Sequence, residues 1–211
     1  MQKNFVEHAS PVADEPLHFD SQAALAQWLA GHHDTSSGVW LRHAKKGAPL
    51  PSVTYQEALE VALCFGWIDG QRKGLNEHFY LQRWTPRRAR SIWSKVNREK
   101  ALRYIEEGRM QPSGLAEVER ARRDGRWEAA YDCVSQASVP PDLEAAFGQH
   151  PGAVQFFATL TSQNRYAVLF RIQTVKKPET RARRIAQFAA MLARHETVYP
   201  IMMKKNTPAG R

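Results

Sequence analysis

CFGWIDGQRKGLNEHFYLQRWTPRRARSIWSKVN, Cys64 to Asn97, is the stretch on which the fold turns. It holds three tryptophans, Trp67, Trp84 and Trp93, a dense set of Arg and Lys, and one acid among large apolar side chains, Asp69. Trp67 to Lys73 reads as a short strand interrupted at Asp69-Gly70. Glu77 to Trp84 alternates, with His78, Tyr80, Gln82 and Trp84 on one face and Phe79, Leu81 and Arg83 on the other. Gly74-Leu75-Asn76 between them predicts an antiparallel hairpin. Beyond it, either Thr85 caps a helix with Pro86 at its first position, or a loop runs to Ser91, which caps it instead. In both cases the helix continues through Ile92, Val96, Leu102 and Ile105 to Gly108.

On the N-terminal side, Thr54-Tyr55-Gln56-Glu57 has the form of a capping box. The helix it opens turns Ala58, Leu59, Ala62, Leu63 and Phe65 inward and stops at Gly66. Gly38 to Lys45 alternates as a half-buried strand, with Val39, Leu41 and His43 on one side and Trp40, Arg42 and Ala44 on the other. Before it, Asp20 or Ser21 caps a helix carrying Leu25, Trp28 and Leu29, ended by Gly31. Leu17 and Phe19 flank His18 in a short alternating segment that suits an edge strand, and residues 1–15 read as a loose arm.

On the C-terminal side, residues 113–124 form a charged helix ending at Asp124-Gly125, with Trp127 as an anchor. Small residues and Pro at 132–141 mark the best boundary. Four helical patterns follow: Asp142–Phe147, Pro151–Leu160, Arg165–Val175 capped by Ser162, and Pro178 to about Arg194; residues 200–211 look disordered. The expected architecture is α+β. A small antiparallel sheet of three or four strands flanked by helices (16–131) precedes a C-terminal helical bundle (140–196).

Hydrophobic content of 43% and charged content of 24% over 211 residues are those of a globular chain. No apolar run approaches the roughly 18 residues of a membrane span. The opening residues carry Glu7, Asp14 and Glu15 without an apolar segment, so no secretory signal is visible. Cys64 and Cys133 lie far apart and suit free thiols in a reducing compartment, which makes the cytoplasm the expected location. The net charge of +9 stands out. It attracts polyanions or phosphorylated small molecules, or else describes a solvated cationic surface.

CFGWIDG at Cys64–Gly70, QRWTPRRARSIWSKVN at Gln82–Asn97 and EGRM at Glu107–Met110 resemble the YdeI/OmpD-associated, bacteriocin-protection family. GLAEVERARRDGRW at Gly114–Trp127 and KKPETRARRI at Lys176–Ile185 fit the same resemblance, which covers roughly residues 16–195. It implies a part in bacterial tolerance of antimicrobial peptides or bacteriocins, which makes an antimicrobial or envelope-stress response the expected setting, and implies no particular reaction. The porin association in the family's name does not suit a chain without a visible secretory signal.

Asp69 is costly to desolvate unless paired. It is either a turn device whose carboxylate accepts local amides, or the partner of Arg83 or Arg72, orienting a ligand or a catalytic water. Thr85, Arg87, Arg88, Arg90, Ser91 and Ser94 crowd one helix start, where free amides and guanidiniums favour an anion. Ser91, Ser94 and Asn97 share a helix face if the helix begins early enough. The plainer alternative for this cluster is capping plus a solvated basic face. Trp67, Trp84 and Trp93 suit a core better than base stacking. The basic start of the last helix, Lys176 to Arg184, could dock on anionic lipid or nucleic acid, or simply be solvated. His43 and His78 could face each other on neighbouring strands, but two His are too few for a metal centre. Zincin, Walker, Rossmann and nucleophile-elbow signatures are absent, so neither metal nor cofactor is expected.

The expected function is therefore a non-enzymatic binding protein with a cationic cleft for an anionic small molecule or polyanion. The cleft would be built by Asp69, Arg83, Thr85, Arg87, Ser91, Ser94 and Asn97. The alternatives are an enzyme on a small phosphorylated or carboxylated substrate with Asp69 as acid/base, and sequence-independent nucleic-acid binding.

Overall fold

The computed structural model describes residues 15–200, which divide into two units. One takes the chain up to Trp93 and then Asn97–Glu128; the other takes Ser94–Val96 and the chain from Ala129 on. The loose arm expected at 1–15 and the disordered tail expected at 200–211 fall, save for their innermost residues, outside the described part.

The first unit begins with α1 (Gln22–His32), whose cap is Ser21: its hydroxyl accepts the Ala24 amide. β1 (Val39–Ala44) follows, then α2 (Tyr55–Cys64), β2 (Trp67–Gly74) and β3 (Phe79–Pro86). The capping box forms as read. Thr54 N–H donates to the Glu57 carboxylate at 2.8 Å and the Glu57 amide to the Thr54 hydroxyl at 3.2 Å. The Thr54 backbone and side-chain bonds hold the Glu57 carboxyl below its ordinary range.

The sheet is antiparallel in the order β1-β3-β2. The hairpin turn is locked by the Asn76 side-chain oxygen, which accepts the His78 and Phe79 amides. The interruption read at Asp69-Gly70 is a bulge between Asp69 and Arg72, and the Gln82 amide donates to the Gly70 carbonyl at 2.9 Å. Leu17 adds a single parallel bridge to β1, all that forms of the expected edge strand.

One sheet face carries Val39, Leu41, His43, Gln82 and Trp84 and is buried. His43 stacks on Tyr80 rather than facing His78, because the register sets it opposite Tyr80 and leaves His78 bonded to Lys45. Its imidazole bonds the Val53 carbonyl through Nδ1 at 2.9 Å and accepts the Trp84 indole N–H at Nε2, 3.4 Å away. That pairing fits the neutral ring, with the proton on Nδ1. Burial lowers its pKa.

In the unfolded chain His43 titrates near 6.5. Between that value and the lower native one, the unfolded state binds more protons, so stability is complete above about pH 6.5 and is lost as pH falls. All six tryptophans precede Ala129, so their fluorescence reports the first unit. The urea midpoint read this way should drop between about pH 7 and pH 5. His43→Gln, which keeps one donor and one acceptor, should flatten the drop; an unchanged slope would assign the acid sensitivity to other groups.

After the sheet come α3 (Lys95–Glu106) and α4 (Pro112–Arg123). α3 begins later than either expected start, which corrects the sequence reading. Thr85 and Pro86 stay in the ladder opposite Ile68 and Trp67, and the Arg87 amide donates to the Gly66 carbonyl at 2.9 Å. A turn follows, in which the Ser91 hydroxyl accepts the Arg88 amide. Strand pairing has overridden a local helix signal.

The second unit holds α5 (Pro141–Gly148), α6 (Pro151–Thr159), α7 (Ser162–Gln173) and α8 (Pro178–Ala193). Three of these four helices start with Pro at the first turn, where its missing N–H costs nothing. The cap of α7 is Thr161, whose hydroxyl accepts the Asn164 amide, and Ser162 is already helical. Leu143, Phe147, Phe157, Ile172, Ile185 and Leu192 form the centre of its core. Arg181 in α8 grips Asp142 in α5 with two bonds, of 2.6 and 2.9 Å. The protein is α+β, with a three-stranded antiparallel sheet early in the chain and helices after it.

Candidate functional site

Because side chains alternate along a strand, residues paired across the ladder share a face. Asp69 pairs with Trp84, so its carboxylate lies on the buried side and accepts the Tyr55 hydroxyl at 3.1 Å. Arg83 pairs with Trp40 on the other side. The expected Asp69–Arg83 pair is therefore not formed: the bulge fixes a register that sends the two groups through opposite faces. Thr85 lies on the Arg83 side, where the Gly38 backbone approaches both residues.

Arg87 is buried, with its guanidinium 3.6 Å from the Trp93 ring centroid and one N–H donated to the Ile92 carbonyl. Trp93 meets Trp127 edge-on at 5.0 Å. Beside this stack, Arg126 is buried and binds Asp124 and the Ser91 carbonyl, while Arg120 pairs with Glu117. Burial raises the Glu117 pKa, and the guanidiniums of Arg120, Arg87 and Arg126 counter it. This cluster is an ion network that runs from the buried Arg87 and Arg126 out to the exposed Asp124. Ser91 and Ser94 precede α3, so they share no helix face with Asn97. Ser94 belongs to the second unit, bridged to Tyr131. The seven expected residues are thus distributed over two sheet faces, a buried stack, the segment before α3 and α3 itself.

What the register does gather is a different set. On the face turned away from α2, the Lys73 ammonium stands 4.3 Å and the Arg83 guanidinium 6.0 Å from the centroid of the half-buried Trp40 indole. Arg42 lies over Phe79 at 5.1 Å and its Nε donates to His18 at 3.4 Å. Arg72, which covers Tyr80 at 3.8 Å, belongs to the opposite face, with Gln82 and His43. A cation resting on an aromatic face is held there by the ring quadrupole, which fixes where these groups stand on the sheet. The surface can take phosphate or carboxylate groups and offers one indole for stacking. Trp40, Arg42 and Lys73 were absent from the sequence-derived site. The alternation in β1 already set Trp40 and Arg42 together; pairing with Lys73 and Arg83 needed the register.

The fold and this face define an α+β protein with a basic, aromatic-bearing sheet. Its C-terminal part, residues 136–195, matches the family described as Bacteriocin-protection, YdeI or OmpD-Associated. Residues 17–117, where most of the resembling motifs lie, match a separate family, described as Domain of unknown function (DUF8412). No curated protein and no solved structure matches the chain. Among the described residues no helix is long and apolar enough to cross a membrane.

Proposed function

We propose that this is a non-enzymatic cytoplasmic protein of a bacterial bacteriocin- or antimicrobial-tolerance response that binds an anionic ligand on its basic sheet face. The observation that carries the reading is the grouping of Arg42, Lys73 and Arg83 around Trp40 and Phe79, in a chain of net charge +9. The family match at residues 136–195 supports the biological setting. Of the residues expected from sequence, Arg83 and Thr85 belong to this surface.

Polyphosphate is a suitable probe, with Trp40 close enough to report its arrival. Binding should weaken steeply with salt, and each lost phosphate contact should reduce the slope of log K against log salt by about one. The Arg42→Ala/Lys73→Ala/Arg83→Ala variant should lose about three contacts' worth of that slope. The reading fails if the triple variant keeps both the affinity and the slope. Single-stranded DNA that binds with stronger Trp quenching than polyphosphate would point to bases stacking on Trp40, and hence to nucleic acid as the ligand.

A further inference from the structure

A second site candidate lies wholly within the helical unit. There Tyr131, Tyr166, Phe170 and Tyr199, with Gln163 and Arg171, line a cavity of about 540 Å³. Tyr166 and Phe170 are one helical turn apart on α7, and Ala167 between them leaves the space that a longer side chain would fill. Phe170 meets Tyr131 edge-on at 5.0 Å and lies tilted against Tyr166 at 5.7 Å. The walls are built from well-anchored groups. Asn164, only 4% exposed, spends its amide on one backbone residue, donating to the Tyr199 carbonyl at 3.2 Å and accepting the Tyr199 N–H at 2.9 Å. Opposite, the Tyr166 hydroxyl donates to the Asp132 carbonyl at 2.8 Å, which the Gln173 amide also reaches.

Arg171 is the one ionised side chain among the lining residues. It sits with its guanidinium 5.5 Å from the Tyr199 ring, and Nη1 donates to the Ala167 carbonyl at 3.0 Å. Burial pushes the Tyr166 phenol up to about 12, so it stays neutral and the cavity keeps a single positive charge. A volume of this size suits a small molecule, and a few polar groups in aromatic walls fix its orientation. Aromatic walls favour a flat ring by stacked or edge-on contact. The guanidinium selects an anionic substituent and repels the quaternary ammonium that an aromatic cage would otherwise hold.

We propose that this cavity binds a planar aromatic molecule carrying a carboxylate or phosphate, its ring among Tyr131, Phe170 and Tyr199 and its anionic group at Arg171. The site is independent of the sheet face and stands or falls separately from it.

Calorimetric titration of the full chain tests it with three probes: 2-naphthoate, its saturated decahydro analogue, and the neutral 2-naphthamide. 2-Naphthoate should bind saturably and about tenfold or more tighter than either control. Arg171→Gln should remove about tenfold from naphthoate and leave naphthamide unchanged. Tyr199→Leu, which keeps both backbone bonds to Asn164, should erase the preference for the flat ring over the saturated one and guards against a misfolded Arg171 variant. The proposal is overturned by an absence of saturation at millimolar naphthoate. It is equally overturned if the decahydro analogue binds as tightly, or if folded Arg171→Gln binds naphthoate like the parent protein.

Discussion

Trp93→Ala should destabilise the first unit by about 3–5 kcal/mol, the range for emptying a buried tryptophan site. The indole is 1% exposed, covers the Arg87 guanidinium at 3.6 Å and meets Trp127 edge-on. Truncation opens a cavity and strips the aromatic cover from a buried cation, so two penalties coincide. Trp93→Phe separates them. The buried indole N–H makes no hydrogen bond among the described residues, so Phe forfeits no polar contact, and a ring remains for Arg87. Its cost should be about 1 kcal/mol. Urea unfolding followed by the remaining tryptophans measures both. Equal losses for Ala and Phe would mean that the indole's outer ring, not the stack, supplies the stability.

Gly114→Ala is the second large effect, and its sign runs against helix propensity. Alanine inside a helix normally gains about 1 kcal/mol over glycine. Here a Cβ on Gly114 would fall 2.2 Å from the Cys64 carbonyl oxygen, on backbone that cannot swing aside. The last turn of α2 therefore meets the first turn of α4 with nothing between the chains but hydrogen. Gly66, at φ 76°, repeats the approach: a Cβ there would come within 2.9 Å of the Ser113 carbonyl oxygen. Forcing the helices apart should cost about 2–3 kcal/mol net, visible as a lower urea midpoint. A Gly114→Ala protein as stable as the parent would show that α2 and α4 separate cheaply.

These two sites account for much of the opening motif. Cys-Phe-Gly-Trp ends α2, makes the tight left-handed turn against α4, and returns as β2 with Trp67 buried and its indole N–H on the His33 carbonyl. The arginines after β3 follow a similar logic. Arg87 and Arg126 are interior groups stacked or bonded to backbone carbonyls, whereas Arg88 and Arg90 remain exposed. Counting basic residues in a short segment cannot separate the two kinds, because the difference lies in what the folded chain sets against each guanidinium: the Trp93 ring and the Ile92 carbonyl for Arg87, Asp124 and the Ser91 carbonyl for Arg126.

Local chemistry was sufficient wherever the deciding interaction spans a few residues. The Thr54–Glu57 box, the Asn76 turn, the alternation of β1 and β3 and the α+β order of elements could all be read directly, since each is closed by bonds within a turn or by the two-residue period of a strand. Tertiary structure alone decided the rest. Strand pairing with Trp67 and Ile68 held Thr85 and Pro86 out of a helix. A bulge chose the register that parted Asp69 from Arg83 and brought Lys73 to Trp40. The aromatic cavity joins Tyr131 to Tyr199 across a long span of chain. Each of these depends on which distant residues meet, and a one-residue change of register exchanges the faces of a sheet while leaving every local signal as it was.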